Sequence, residues 1–441
     1  MRKIYISLFF VVFEFATANK SISQSSNDSV LQSATLNNCV QYALLHQPTV
    51  QQSLIDESIT EKGIQTKLGD WYPQLNFNYN IQNFFQLPST YFGGNVVQSG
   101  TYNNSTFGLG VMQNIFTRDL LLANRTASDV RKQIKQSTVS NKIDVVVNVS
   151  KAFYDVLLTQ KQINVLDEDI IRLDKSLKDA YNQYQSGIVD KTDYKRATIS
   201  LNNAKAERKQ IQDLLSAKLA LLKQLMGYPD NSILPLQYDS SAMEKEAFID
   251  TAQQVVYQNR IEYQLLQTQQ KLQQANLQYN KWSYIPTVSA FGAYNFNYLN
   301  TSFGKLYNPV YPSSYIGLQL SMPIFQGNKR VNQIKQAELQ LKRVDWDMIS
   351  VKSKINAQYA LALASYKGNL ANYAALKDNV LLANDVYTTI RLQYNSGVKT
   401  YLDVIIAESD LRTAQLNYYT ALYQLLQSKI DVQKALGTIQ Y

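Results

Sequence analysis

Two side chains in this 441-residue chain carry the chemistry most used for catalysis and metal binding, and each type occurs once: Cys39 and His46. They stand seven residues apart in a segment of helical patterning, about 10 Å along a helix axis, too far to share one metal ion. A single thiol excludes an intrachain disulfide, a Cys-based zinc site and an iron–sulfur cluster, and a single imidazole leaves no multi-histidine centre. No phosphate-cradling glycine loop and no catalytic-serine signature is present. The expectation is a protein that is not an enzyme and needs no cofactor or metal, with Cys39 a thiol in a helix core and His46 a surface or helix-end residue.

The other chemistry in the chain is that of a wet surface. From Leu75, the apolar residues Leu75, Phe77, Tyr79 and Ile81 alternate with Asn76, Asn78, Asn80 and Gln82. Strict alternation gives a strand with one apolar face and one lined with amides. Weaker runs repeat the pattern at 107–112, 288–298 and 316–322, and residues 87–102 and 299–313 read as loops rich in Gly, Asn, Ser, Tyr and Pro. A soluble sandwich alternates in the same way. The amide face together with the export signal described below favours a barrel wall facing lipid outside and water inside.

The elements that must position these strands come in two copies. Residues 181–227 align without a gap on 391–437, pairing Tyr184, Ser186, Gly187, Asp193, Ala197 and Gly227 with identical residues at Tyr394, Ser396, Gly397, Asp403, Ala407 and Gly437. Each copy reads as helix, strand, strand, long helix, tight turn, helix. The expected division is a signal peptide at 1–18, a first repeat at 19–227, a linker at 228–248 and a second repeat at 249–441. Segments 117–184 and 327–394 lack proline; as unbroken helices each would reach roughly 100 Å. The final helix of each copy spaces its apolar residues at three and four, the pattern of a coiled coil, with Arg208 and Lys218 as polar exceptions in the first. Gly187 and Gly397 permit tight helix–helix turns.

Composition agrees with an exported chain. Arg2 and Lys3 precede an apolar stretch from Ile4 to Phe15, interrupted by Glu14, and Ala16-Thr17-Ala18 supplies small residues for cleavage; an uncleaved N-terminal anchor is the alternative. No later segment approaches the ~20 apolar residues of a membrane-spanning helix. The 43 basic and 34 acidic residues are interspersed, which reads as solvated helix faces and not as a nucleic-acid-binding surface. Four strands cannot span a membrane as an open sheet, because each unpaired edge group in hydrocarbon costs several kcal/mol. Several chains must therefore share one barrel.

The duplication, the segments Tyr394-Asn395-Ser396-Gly397 with Asp403-Val404, the closing Ala435-Leu436-Gly437-Thr438, and Pro323-Ile324-Phe325 together resemble the TolC-like outer-membrane efflux proteins over about residues 36–437. The resemblance implies a membrane α+β fold: a homotrimer with a shared twelve-stranded barrel in outer-membrane lipid and a coiled-coil helical tunnel in the periplasm of a Gram-negative bacterium. It implies a passive exit duct for efflux or type I secretion, joined through a periplasmic adaptor to an inner-membrane transporter. It places the gate at Asp193, Tyr394 and Lys399, puts Asp403 in the narrowest ring, and makes Gly187 and Gly397 adaptor-docking turns. Asn76, Asn78, Asn80 and Gln82 would face the lumen. Lys399 stands where the best-known member has arginine, and Ile406 where a second acidic ring would be. An exported coiled-coil scaffold or adhesin without a pore is the competing reading.

Overall fold

Four helices end on a glycine in the left-handed conformation, and all four close with the same pair of backbone hydrogen bonds. The computed structural model describes residues 31–237 and 240–441; the expected signal peptide, residues 1–18, lies outside the described residues. In the first copy the chain runs α1 (Leu36–His46), α2 (Pro48–Gly69), β1 (Gln74–Asn83), β2 (Ser89–Phe92), β3 (Asn95–Gln98), β4 (Asn103–Phe116), α3 (Arg118–Gln185) and α4 (Lys191–Met226). A connecting segment carries α5 (Ser240–Glu246). The second copy follows with α6 (Ile261–Lys281), β5 (Thr287–Asn300), β6 (Val310–Ser321), α7 (Lys329–Asn395) and α8 (Tyr401–Leu436).

Beyond α3 the amide of Gly187 donates to Tyr184 and that of Ile188 to Gln183; beyond α7 Gly397 donates to Tyr394 and Val398 to Gln393. Gly227 with Tyr228, and Gly437 with Thr438, repeat the arrangement beyond α4 and α8. This is the Schellman closure, in which a residue at positive φ satisfies the last helical carbonyls; φ is 74° at Gly187 and 77° at Gly397. The duplication thus extends to individual backbone bonds.

α3 and α7 are single helices of 68 and 67 residues, close to the bounds set by the proline-free segments, and α4 and α8 return as 36-residue partners. Their seams alternate alanines with larger aliphatic residues: Ala197, Leu201 and Ala204 on α4, and Val404, Ala407 and Leu411 on α8, are buried. The polar exceptions are paired across the hairpin. Arg208 donates to Asp167, and Lys218 reaches Asp155 at 2.8 Å and Thr159 at 2.9 Å.

The largest core gathers α1, the middle of α3, the ends of α4 and α8, and the connecting segment. Cys39 lies in it fully buried. Ala34 bridges to Leu236, and the buried Tyr366 of α7 pins the segment by donating to Ala247 O and accepting from Ile249 N, both at 3.0 Å. His46 is the last residue of α1, its ring stacked on Tyr42 at 4.0 Å.

Three details depart from the sequence reading. The first helix of the first copy is broken at Pro48, which starts α2. The segment 87–102 is not irregular but contains the hairpin of β2 and β3 turning at Gly93 and Gly94. β6 begins at Val310, inside the segment assigned to the loop 299–313, because Val310 continues the ladder opposite Tyr298.

Candidate functional site: channel wall and hairpin tips

The main sheet has the order β1-β4-β5-β6, antiparallel throughout. Register fixes which residues share a face. Phe77 pairs with Leu109 and Tyr79 with Phe107; Phe107 pairs with Phe296, and Phe296 with Pro312. Further along, Gly292 pairs with Ile316, Ala290 with Leu318 and Val288 with Leu320. All these lie on one side, and Leu75, Phe77, Ile316, Leu318 and Leu320 are exposed there.

The opposite side collects Asn76, Asn78, Asn80 and Gln82 of β1 with Thr106 of β4, Asn295 and Asn297 of β5, and Ser313 and Gln319 of β6. Three of these residues bond one another in a chain. Thr106 donates to Asn297 Oδ1 at 3.1 Å, and Asn297 donates to Ser313 Oγ at 3.1 Å. Glycines make room for them: a Cβ on Gly108 would lie 2.5 Å from Asn295 Oδ1, and one on Gly317 would lie 2.8 Å from the Phe291 ring. The larger side chains therefore lie flat against the sheet instead of standing away from it. Among the described residues, β1 and β6 each leave one edge unpaired.

At the other end of the molecule, about 100 Å away along α3, lie the two hairpin tips. Asp190 caps α4, accepting from Thr192 N at 3.2 Å. Thr400 caps α8 as a capping box: Asp403 Oδ2 accepts from Thr400 N at 2.9 Å and Thr400 Oγ1 at 2.7 Å, while Asp403 N donates back to Thr400 Oγ1. These bonds from Thr400, with the charge of Lys399, hold the Asp403 carboxyl below the usual carboxylate range. Asp403 is thus ionised at neutral pH and tied to its own helix start. Lys399 is exposed.

Tyr394 donates to Gln183 Oε1 at 2.8 Å, joining the two tips. Asp193 reaches Tyr394 through its charge: burial first, then the negative charges of Asp193 and Asp179, push the Tyr394 hydroxyl above its ordinary value. The sequence reading placed Asp193 and Tyr394 together but did not name Gln183 as the hydrogen-bond partner. Gly187 and Gly397 have no neighbouring atom within 4 Å of a notional Cβ, so backbone conformation alone requires glycine there. Beneath them Tyr401 is buried against Ala180 and Ala197, docking the second hairpin on the first.

A cluster that sequence reasoning missed sits farther up the same interface. Asp169 accepts from Arg172 at 3.2 Å and from Arg412 at 3.3 Å, and Glu408 Oε1 lies 3.5 Å from Arg172 Nε. Asp169 and Glu408 are both 1% exposed. Arg391 donates to Tyr387 at 2.7 Å, and its charge also acts on Glu408. Burial first, and then the charge of Asp169, pushes the Glu408 carboxyl up to about 7, against the lowering effect of Arg172, Arg391 and Arg412. Burial likewise raises Asp169. The available signal was a carboxylate on each apolar stripe: Asp169 between Leu166 and Leu173, and Glu408 between Val404 and Leu411.

A two-faced sheet with open edges, joined to hairpins of this length and built twice in one chain, defines a channel-tunnel subunit. The model of the family described as "Outer membrane efflux protein" matches residues 39–228 and 264–438, and the chain belongs to that family. It is 21% identical to the outer membrane protein TolC of Escherichia coli over 435 residues, covering 95% of this chain and 85% of TolC. It is 20% identical to the alkaline protease secretion protein AprF of Pseudomonas aeruginosa, covering 84% of this chain and 76% of AprF. The crystal structure of the outer membrane protein VceC from Vibrio cholerae superposes with a TM-score of 0.73 at 14% identity, covering 91% of this chain and 96% of VceC. The fold is TolC-like, a channel fold, and the protein is an outer-membrane duct of the efflux and secretion class. The scaffold reading has no support among these relatives.

Proposed function

We propose that three copies of the chain close a twelve-stranded barrel, β6 of one protomer pairing with β1 of the next, with the amide face around the lumen and the apolar face in lipid. Two unpaired edges on a sheet whose faces are segregated into apolar and amide residues carry this reading. Free edge groups in hydrocarbon are unaffordable, and pairing between identical copies satisfies them without further chain. The α3–α4 and α7–α8 hairpins of three protomers then form the periplasmic tunnel. The duct is passive: it catalyses nothing, and energy comes from an inner-membrane transporter reached through a periplasmic adaptor that docks near the Gly187 and Gly397 turns. Asp193, Tyr394 and Lys399 form the gate contacts at the tips, and Asp403 supplies the charge at the narrowest ring. The repeats fall at 19–227 and 249–441, with a linker at 228–248.

Cross-linking tests the closure. Burial pushes the Cys39 thiol up to about 12, so the native cysteine is inert to disulfide formation near neutral pH. Single cysteines placed along β1 and β6 should give, in one register, a trimer that survives denaturant and separates on reduction. Monomers at every register would overturn the shared barrel.

A further inference from the structure

Residues 71–117 contain no Asp, Glu, Lys, Arg or His, and residues 282–328 contain one charged side chain, Lys305. These stretches include all four strands of the main sheet and both strand-joining loops. The wall is therefore uncharged on both faces, in a chain that carries 77 charged residues elsewhere or at Lys305. What the amide face offers instead is uncharged donors and acceptors, some of them bonded to one another in a chain from Thr106 to Asn297 to Ser313. Asn295 lies over Gly108 and the Phe291 ring over Gly317, with Phe291 6.1 Å from Tyr315.

Charges at the hairpin tips do not reach this wall. The 68-residue helix α3 separates them by about 100 Å, and the Debye length in physiological salt is about 8 Å. The two ends of the duct are electrically independent, so charge discrimination at the membrane section has to come from that section's own residues and from the charges that adjoin its inner rim, Asp70, Arg118, Lys281 and Lys329 among them.

We infer that the membrane-spanning section is blind to the sign of its cargo: a neutral wall of amides and aromatic rings, held down over glycines, sorts by size and hydrogen bonding and passes cations and anions alike. Lys305, exposed in the loop between β5 and β6, is the only local charge available to bias the outer mouth. The inference deepens the proposed function, resting on the closed barrel with the amide face inward. It names the cargo property that this section does not select.

The test uses the full-length channel in planar bilayers, carrying Asp403→Asn throughout so that the tip ring adds no preference of its own, with a size-matched pair of probes, phenyltrimethylammonium and benzenesulfonate, added on the extracellular side. Block of the current is extrapolated to zero voltage. In the Lys305→Ala channel the two probes should block within about twofold of each other. Adding Asn78→Asp should favour the cation several-fold, and adding Asn78→Lys should favour the anion by a similar factor. A preference of about tenfold for either probe in the Lys305→Ala channel, or conducting Asn78→Asp and Asn78→Lys channels that leave the ratio unmoved, would overturn the inference. If the wild-type protein forms no conducting channels, the barrel reading itself fails, a result distinct from either of these.

Discussion

Glu408 and Arg172 face each other at 3.5 Å across the interface between the two hairpins, and neither Glu408 oxygen nor Arg172 Nε completes a hydrogen bond among the described residues. A buried carboxylate without donors is costly in its charged form and much cheaper when protonated. The interface is thus assembled around a group whose charge is poorly supported.

The pH dependence follows from this. Glu408 is raised in the folded state from 4.5 to about 7, so the native protein binds a proton more tightly than the unfolded chain does. Its contribution is fully favourable below about pH 4.5 and is lost as pH rises through about 7, on the order of 3 kcal/mol per protomer. Thermal midpoints of the detergent-solubilised protein should fall over this window for the wild type, relative to Glu408→Gln. Parallel pH profiles for the two proteins would refute the assignment.

The tip contacts should act as a latch. Removing the Asp193 charge beside Tyr394 in Asp193→Ala should raise the conductance of the reconstituted channel. Contacts of this half-exposed kind contribute about 0–1 kcal/mol each, so three copies are weak enough for a binding partner to offset. Equal single-channel conductance in mutant and wild type would remove Asp193 from the gate.

Asp403→Asn separates charge from structure. The asparagine Oδ1 still accepts from Thr400, so the start of α8 keeps its cap, while the ring loses one charge per protomer. Reversal potentials in a salt gradient should show reduced cation preference with little change in thermal midpoint.

The four Schellman glycines should not respond equally to alanine. At Gly187 and Gly397 nothing crowds the added methyl, and the cost is that of a left-handed non-glycine residue, about 1–2 kcal/mol. At Gly437 the methyl would lie 2.6 Å from the Asn259 carbonyl oxygen, and at Gly227 2.7 Å from that of His46. Because backbone cannot rotate away, these substitutions should cost more than about 3 kcal/mol, at the far end of single-residue effects. Comparable midpoints for Gly187→Ala and Gly437→Ala would contradict this.

The long helices were legible in the sequence because an absence of proline over nearly seventy residues and a three–four apolar spacing leave little alternative. The strand faces were legible because a period of two shows without knowing the partner, and the observed register then aligned every apolar set with its neighbours. The β2–β3 hairpin announces itself only through Gly93-Gly94 between two short apolar runs, a signal masked by the loop-like composition around it. The Asp169, Arg172, Glu408 and Arg412 cluster left only a carboxylate on each apolar stripe as its mark, and its pairing was out of reach for a different reason. Each charge reads locally as one more polar residue on a helix, and only the docking of α8 on α3 brings positions 243 apart in sequence within 3.3 Å.

The helix ends stand at a constant interval, Gly187 matching Gly397 and Gly227 matching Gly437, so no residue has been gained or lost between these paired ends in one copy relative to the other. A one-residue insertion within α8, which has the same 36 residues as α4, would swing everything beyond it by about 100° and displace its end by about 1.5 Å. The mutated arm would present the wrong stripe to its neighbour and overshoot its twin. Drift in the length of these returning arms is therefore tolerated only when both change together, and α4 and α8 act as rulers that check each other.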